Sequence, residues 1–210
     1  MKKDVFWKII SFVFNPLLVP MWCVVLYYLL TPRVFFPVEP LYTGLVVATA
    51  TIVIPLPVLF LLKATGKIES MSLHQVYERR LPLLLLCILL VCAVKFYLWG
   101  RVAPAMTITM AAAALSILIA YLSLNLDKIS LHAMGMGGLF CFIGMMMVHW
   151  QAPLGYAVPV LVALAVAFDL VVMARMEMNR HNVRQLVLGT LVGALPQLAG
   201  FLFVYSPAVV

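Results

Sequence analysis

Seven apolar runs, each about as long as a bilayer is thick, occupy most of this chain. They fall at residues 10–30, 42–63, 81–99, 103–123, 132–150, 154–173 and 184–204. A membrane-spanning helix needs about 20 mostly apolar residues. The 210 residues are 66% hydrophobic and only 10% charged, and a soluble domain of this length cannot hide that much apolar surface. The expected fold is an all-α, polytopic membrane helix bundle of six to seven transmembrane helices. Residues 1–210 read as a single integral membrane domain.

The runs differ in how cleanly they read as helices. Pro16 and Pro20 interrupt the first, after Asn15, so it is expected to bend or to lie partly in the interface. It has no small-residue cleavage site and reads as a retained helix. Pro55 and Pro57 should kink the second run. The third opens after Glu78-Arg79-Arg80-Leu81-Pro82, where a proline suits a first helical turn. Short connections near Gly100-Arg101 and Gln151-Ala152-Pro153 make hairpins of the third run with the fourth and of the fifth with the sixth. Ser130 is a good N-cap for the fifth run, and Gly135, Gly137, Gly138 and Gly144 within it allow close helix packing. Asp169 sits inside the sixth run and is expected to face a partner in the bundle, with Arg175 the candidate. Cys23, Cys87, Cys92 and Cys141 lie in apolar runs without metal-ligand spacing and read as small core residues.

With seven crossings, eleven lysines and arginines fall on one side and three (Arg33, Lys95 and Arg101) on the other. Setting aside Arg79, Arg80 and Arg175 as candidate ligand contacts, the ratio is eight to three. The positive-inside rule puts the richer side, and the N-terminus, in the cytoplasm. The formal charge of +7 therefore marks a membrane orientation and carries no sign of a nucleic-acid partner.

Three polar islands share that side: residues 67–80, 127–132 and 174–185. They hold Lys67, His74, Arg79, Arg80, Lys128, Ser130, His132, Arg175, Arg180, His181 and Arg184, with few acids between them. Arginine forks and a helix N-terminus suit a phosphate or pyrophosphate. Cations at cytoplasmic helix ends are equally what orientation alone requires. Two histidines at one cluster mouth, each beside a phosphate-binding cation, suit nucleophilic attack with acid catalysis.

The spacing sharpens this. Arg175, five residues, His181, three residues, Gln185 resembles the third signature of the type 2 phosphatidic acid phosphatase superfamily, which reads Ser-Arg, five residues, His, three residues, Asp. Ile129-Ser130-Leu131-His132 resembles the second, Pro-Ser-Gly-His. The motif-bearing part covers about residues 125–205. Ala174, Leu131 and Gln185 depart from the signatures, and the first signature is not present as such. Lys67 with Arg79 or Arg80, before Leu81-Pro82, comes nearest to it.

The resemblance implies a role for each matched residue. His181 is the nucleophile, and His132 protonates the leaving lipid oxygen. Arg175 and Ser130 hold the phosphoryl group, with Arg80, Arg79 and Lys67 as further contacts. Gln185 replaces the aspartate that orients the nucleophile. In a continuous helix Glu177 would lie one turn before His181 and supply the missing charge, or else pair with Arg180 or Arg184. The implied activity is a lipid phosphatase that works through a phosphohistidine, with no cofactor and no metal. Its implied partner is a membrane phospholipid or polyprenyl phosphate in the bilayer of a bacterial inner membrane. Phosphatidate, phosphatidylglycerol phosphate, a polyprenyl pyrophosphate and a lipid A phosphate all fit. A binding-only member of the same fold and a small transporter are the alternatives.

Overall fold

The computed structural model describes residues 2–31, 36–71, 73, 75–149 and 152–204. Among these the chain is helix and turn, without strand. The helices are α1 (Lys2–Val13), α2 (Val19–Leu30), α3 (Val38–Ala64), α4 (Val76–Leu98), α5 (Pro104–Asn125), α6 (Leu131–His149), α7 (Leu154–Glu177) and α8 (Val183–Val204). Helices α3 to α5, α7, α8 and residues 131–148 of α6 are each long and apolar enough to cross a membrane. The protein is a multi-pass membrane helix bundle.

The first apolar run is two helices. The Asn15 side-chain oxygen accepts the Leu17 N–H at 3.0 Å and closes a turn there. Helix α2, with 12 residues, is about 18 Å long and falls short of a hydrocarbon core of about 30 Å. It leads from Val19, beside Gly135 near the start of α6, to Tyr28, whose hydroxyl lies 2.8 Å from Thr43 Oγ1 on α3. Helix α1 packs against α7, buries Trp7 and exposes Val5, Ile9 and Phe12.

The disturbance expected at Pro55 takes the form of a π-helical stretch at residues 49–53, where the Ile54 N–H reaches back to the Thr49 carbonyl at 3.1 Å. Proline lacks an N–H and its ring crowds the carbonyl four residues earlier, and a wider turn relieves both.

Helix α4 starts earlier than expected. Gln75 and Glu78 form a capping box, so the helix begins at Val76 and Pro82 lies in its second turn, not its first. Arg79 and Arg80 are therefore both helical and point about 100° apart. Arg79 turns inward and is buried, whereas Arg80 is exposed.

Helix α6 forms the centre, with Met136, Leu139, Phe142, Ile143 and Met146 fully buried. Its tightest neighbour is α8. A Cβ on Gly137 would stand 2.5 Å from the Thr190 carbonyl oxygen, and one on Gly189 would stand 2.5 Å from that of Ser130. The bare backbones are what let the helices touch. Asp169 does not face the bundle. It is exposed on α7, and no ion pair joins it to Arg175 among the described residues. A residue six positions before Arg175 is rotated well away from it on the helix.

Candidate functional site

The polar stretch between α7 and α8 is a stop followed at once by a start. Asn179 sits at φ 52° in the left-handed region. The Arg180 N–H bonds the Arg175 carbonyl at 3.0 Å and the Asn179 N–H bonds that of Met176 at 2.9 Å. This is a Schellman stop with asparagine in place of glycine. Directly after His181, Asn182 Oδ1 accepts the Gln185 N–H at 2.9 Å and caps α8. His181 is pinned between the two motifs and only 8% exposed.

The other two islands reach the same place. Ser130 caps α6, with its Oγ 3.4 Å from the Ala133 N–H, and its own N–H donates to the Gln185 carbonyl at 3.2 Å. Arg79 bridges the remaining island to this corner. Its Nε donates to the Leu73 carbonyl and its Nη1 to the Ile129 carbonyl, both at 3.0 Å.

A cavity of about 570 Å³ opens here. Arg79, His132, Arg175, Arg180 and His181 line its polar end. From there it continues into the bundle between apolar side chains such as Leu59, Leu86, Met110 and Leu139. Arg175 is 9% exposed, and its Nε has no hydrogen-bond partner among the described residues. A buried guanidinium with an unmet donor is costly unless an anion joins it.

His181 Nδ1 lies 3.0 Å from Gln185 Oε1, and Gln185 Nε2 donates to Asp127 Oδ1 at 2.9 Å. Asp127 also accepts the Lys128 N–H at 2.7 Å and lies 3.5 Å from the exposed Arg184 guanidinium. Burial, helped by the Arg79, Arg175 and Lys128 charges and opposed by the Gln185 bond, pushes His181 down to about 4. Asp127 is held below the usual carboxylate range by the Gln185 bond first, then by the Lys128 N–H, Arg184 and His181. Burial and three nearby arginines lower Lys128. The site thus holds a neutral histidine among cations.

His132 Nε2 lies 3.1 Å from the Ser11 carbonyl of α1. A carbonyl only accepts, so the His132 proton is on Nε2. Ser11 and Lys8 of α1 also line the cavity.

Of the residues expected at the site, His181, His132, Arg175 and Arg79 share the cavity wall, and Gln185 contacts His181. The others stand elsewhere. Lys67 is exposed and off the wall. Arg80 is exposed and donates to Asn125 Oδ1 at 2.7 Å. Ser130 is fully buried behind the wall, where its hydroxyl caps α6. Glu177 ends α7 as an exposed residue, and the turn at 178–182 breaks the helical register that would have set it under His181. His74 lies outside the described residues. Asp127, Asn179 and Asn182 were missed. Asn179 and Asn182, flanking the island's histidine, were a readable stop and start signal. Among the described residues no group of three His, Cys, Asp or Glu is placed to hold a metal ion.

Compared with known proteins, the chain matches no family model, no curated protein and no solved structure.

Proposed function

We propose that this protein is a lipid phosphatase, similar to the type 2 phosphatidic acid phosphatases, that hydrolyses a phosphate or pyrophosphate monoester of a membrane lipid. The observation that carries this reading is Arg175, a buried guanidinium with an unmet Nε, on the wall of a cavity that holds two histidines. An oxyanion meets its need, and the apolar remainder of the same cavity suits a lipid chain.

In this reading the phosphoryl oxygens lie against Arg175 and Arg79. His181 Nε2 attacks phosphorus as the bond from phosphorus to the lipid oxygen breaks. His132, charged by a proton that the phosphate group brings in as it binds, gives that oxygen the proton. Water then attacks the phosphohistidine, the P–N bond breaks, and His132 takes a proton back. The products are inorganic phosphate, which leaves with the His132 proton, and the lipid alcohol, or the lipid monophosphate where the substrate is a pyrophosphate. The arginines stabilise charge that grows on the transferred group. His132 reaches the leaving oxygen once the Ser11 carbonyl is displaced from its Nε2. By the lysine and arginine bias, the charge-rich end faces the cytoplasm of a bacterial inner membrane.

The test is phosphate release from a panel of lipid phosphates in detergent with EDTA, by wild type and His181→Ala. Release by wild type and none by the variant is expected. A folded wild type that releases phosphate from no lipid overturns the reading. It would favour phospholipid binding without turnover, the second reading, which the engagement of the His132 proton by Ser11 supports.

A further inference from the structure

Gln185 stands where the resembling family has a carboxylate, and its contacts show where the charge has gone. Its amide spans two groups that do not touch. Nε2 donates to Asp127 Oδ1 at 2.9 Å, and Oε1 lies 3.0 Å from His181 Nδ1. A carboxylate has no proton to donate, so it takes only the NH₂ end of the amide. That leaves the carbonyl end facing His181. A carbonyl only accepts, so His181 Nδ1 must carry the ring proton, and the Nε2 lone pair is left unprotonated.

We infer that Asp127 is the positioning residue of this site, acting through the Gln185 amide to hold His181 with its proton on Nδ1 and its lone pair on Nε2. The inference deepens the lipid phosphatase reading and rests on it for its catalytic meaning. The geometry itself does not depend on that reading. Without Asp127, the Gln185 amide is free to turn over and present its NH₂ to Nδ1, which places the ring proton on Nε2 and removes the lone pair. The negative charge of Asp127, one amide away, also favours the positive charge that His181 acquires when it forms a bond to phosphorus. Asp127 is in turn anchored by the Lys128 N–H at 2.7 Å, which holds its carboxylate in place.

A purely structural role for Asp127 makes a different prediction, and two variants separate them. Asp127→Ala removes the anchor. The double variant Asp127→Ala with Gln185→Asp returns a carboxylate directly to His181. Phosphate release from the best lipid of the panel should fall about 10- to 100-fold in the single variant and recover most of that loss in the double. The second readout needs no turnover. With ¹⁵N-labelled histidine, and with His181→Gln to assign the signal, NMR in detergent reads the His181 tautomer. Proton on Nδ1 is expected in wild type and in the double variant, and proton on Nε2 should appear in Asp127→Ala. An unchanged tautomer in the folded single variant overturns the inference, as does a double variant no better than the single. If the tautomers follow this pattern while wild type hydrolyses no lipid, the positioning role stands and the phosphatase reading falls.

Discussion

The Ser130 N–H donates to the Gln185 carbonyl across 3.2 Å, and through this bond the mouth of α6 is tied to the mouth of α8. His132 follows Ser130 by two residues and His181 precedes Gln185 by four, so the bond also sets the spacing of the two histidines. It forms only because Gly189 lets the backbones meet.

Gly189→Ala should therefore damage site and fold together. The new Cβ would stand 2.5 Å from the Ser130 carbonyl oxygen, which is backbone and cannot swing aside. A loss of about 1–3 kcal/mol is expected, as for overpacking in a tight core. Gly144→Ala, whose Cβ meets nothing within 4 Å, is the control and should melt close to wild type. Thermal melts in detergent decide it.

Arg175→Met should trade binding for stability. It removes a buried charge whose Nε is unmet and keeps a side chain that packs well. Replacing buried charge by apolar volume is often neutral or stabilising by about 1–4 kcal/mol. The same change should abolish binding of inorganic phosphate or vanadate, measured by calorimetry. Arg175→Lys should weaken that binding by about 10- to 100-fold, because lysine lacks the fork.

The low His181 value sets a sign for pH. Its folded value of about 4 lies below its ordinary value of 6.5, because burial disfavours the imidazolium. The unfolded chain then binds more protons between those two values, so stability falls as pH drops from about 6.5 to about 4. Above 6.5 His181 adds no pH dependence. Melting temperatures across that window should fall more steeply for wild type than for His181→Gln. In the lipid phosphatase reading the acid limb of kcat/KM should likewise sit below pH 6.5, since His181 stays neutral there.

Asp169→Leu should stabilise the protein in a bilayer. The carboxylate is exposed on a membrane-crossing helix and has no ion pair with Arg175. A carboxylate at membrane depth costs roughly 2.5–3.5 kcal/mol, and part of this should be recovered in lipid-based unfolding assays. A loss of stability in the variant would contradict the outward placement of Asp169.

Much of the bundle was legible because its signals are local. Apolar length reports the spans, and six of the seven runs correspond to helices long enough to cross. The first run was legible only as an irregular one, and Asn15 and Pro16 are where it divides. Ser130 was readable as a cap because an N-cap is decided within three residues of itself. The same reading assigned Ser130 to phosphate, and the packing of α8 against that corner placed it behind the cavity wall instead.

Residue-by-residue patterns were enough to specify a membrane bundle with cations and histidines gathered at one end. Transfer free energy and helix-stopping chemistry act residue by residue and need no tertiary partner to be read. Which of these groups line the cavity was set by helix packing. The phase of α4, set by the capping box at Gln75 and Glu78, turned Arg79 into the cavity and Arg80 out of it. The meeting of α6 with α8 brought Asp127 to Gln185, 58 residues away, and so behind His181. Such contacts depend on where each helix starts and how closely two backbones approach, and no local pattern encodes a distance between helices.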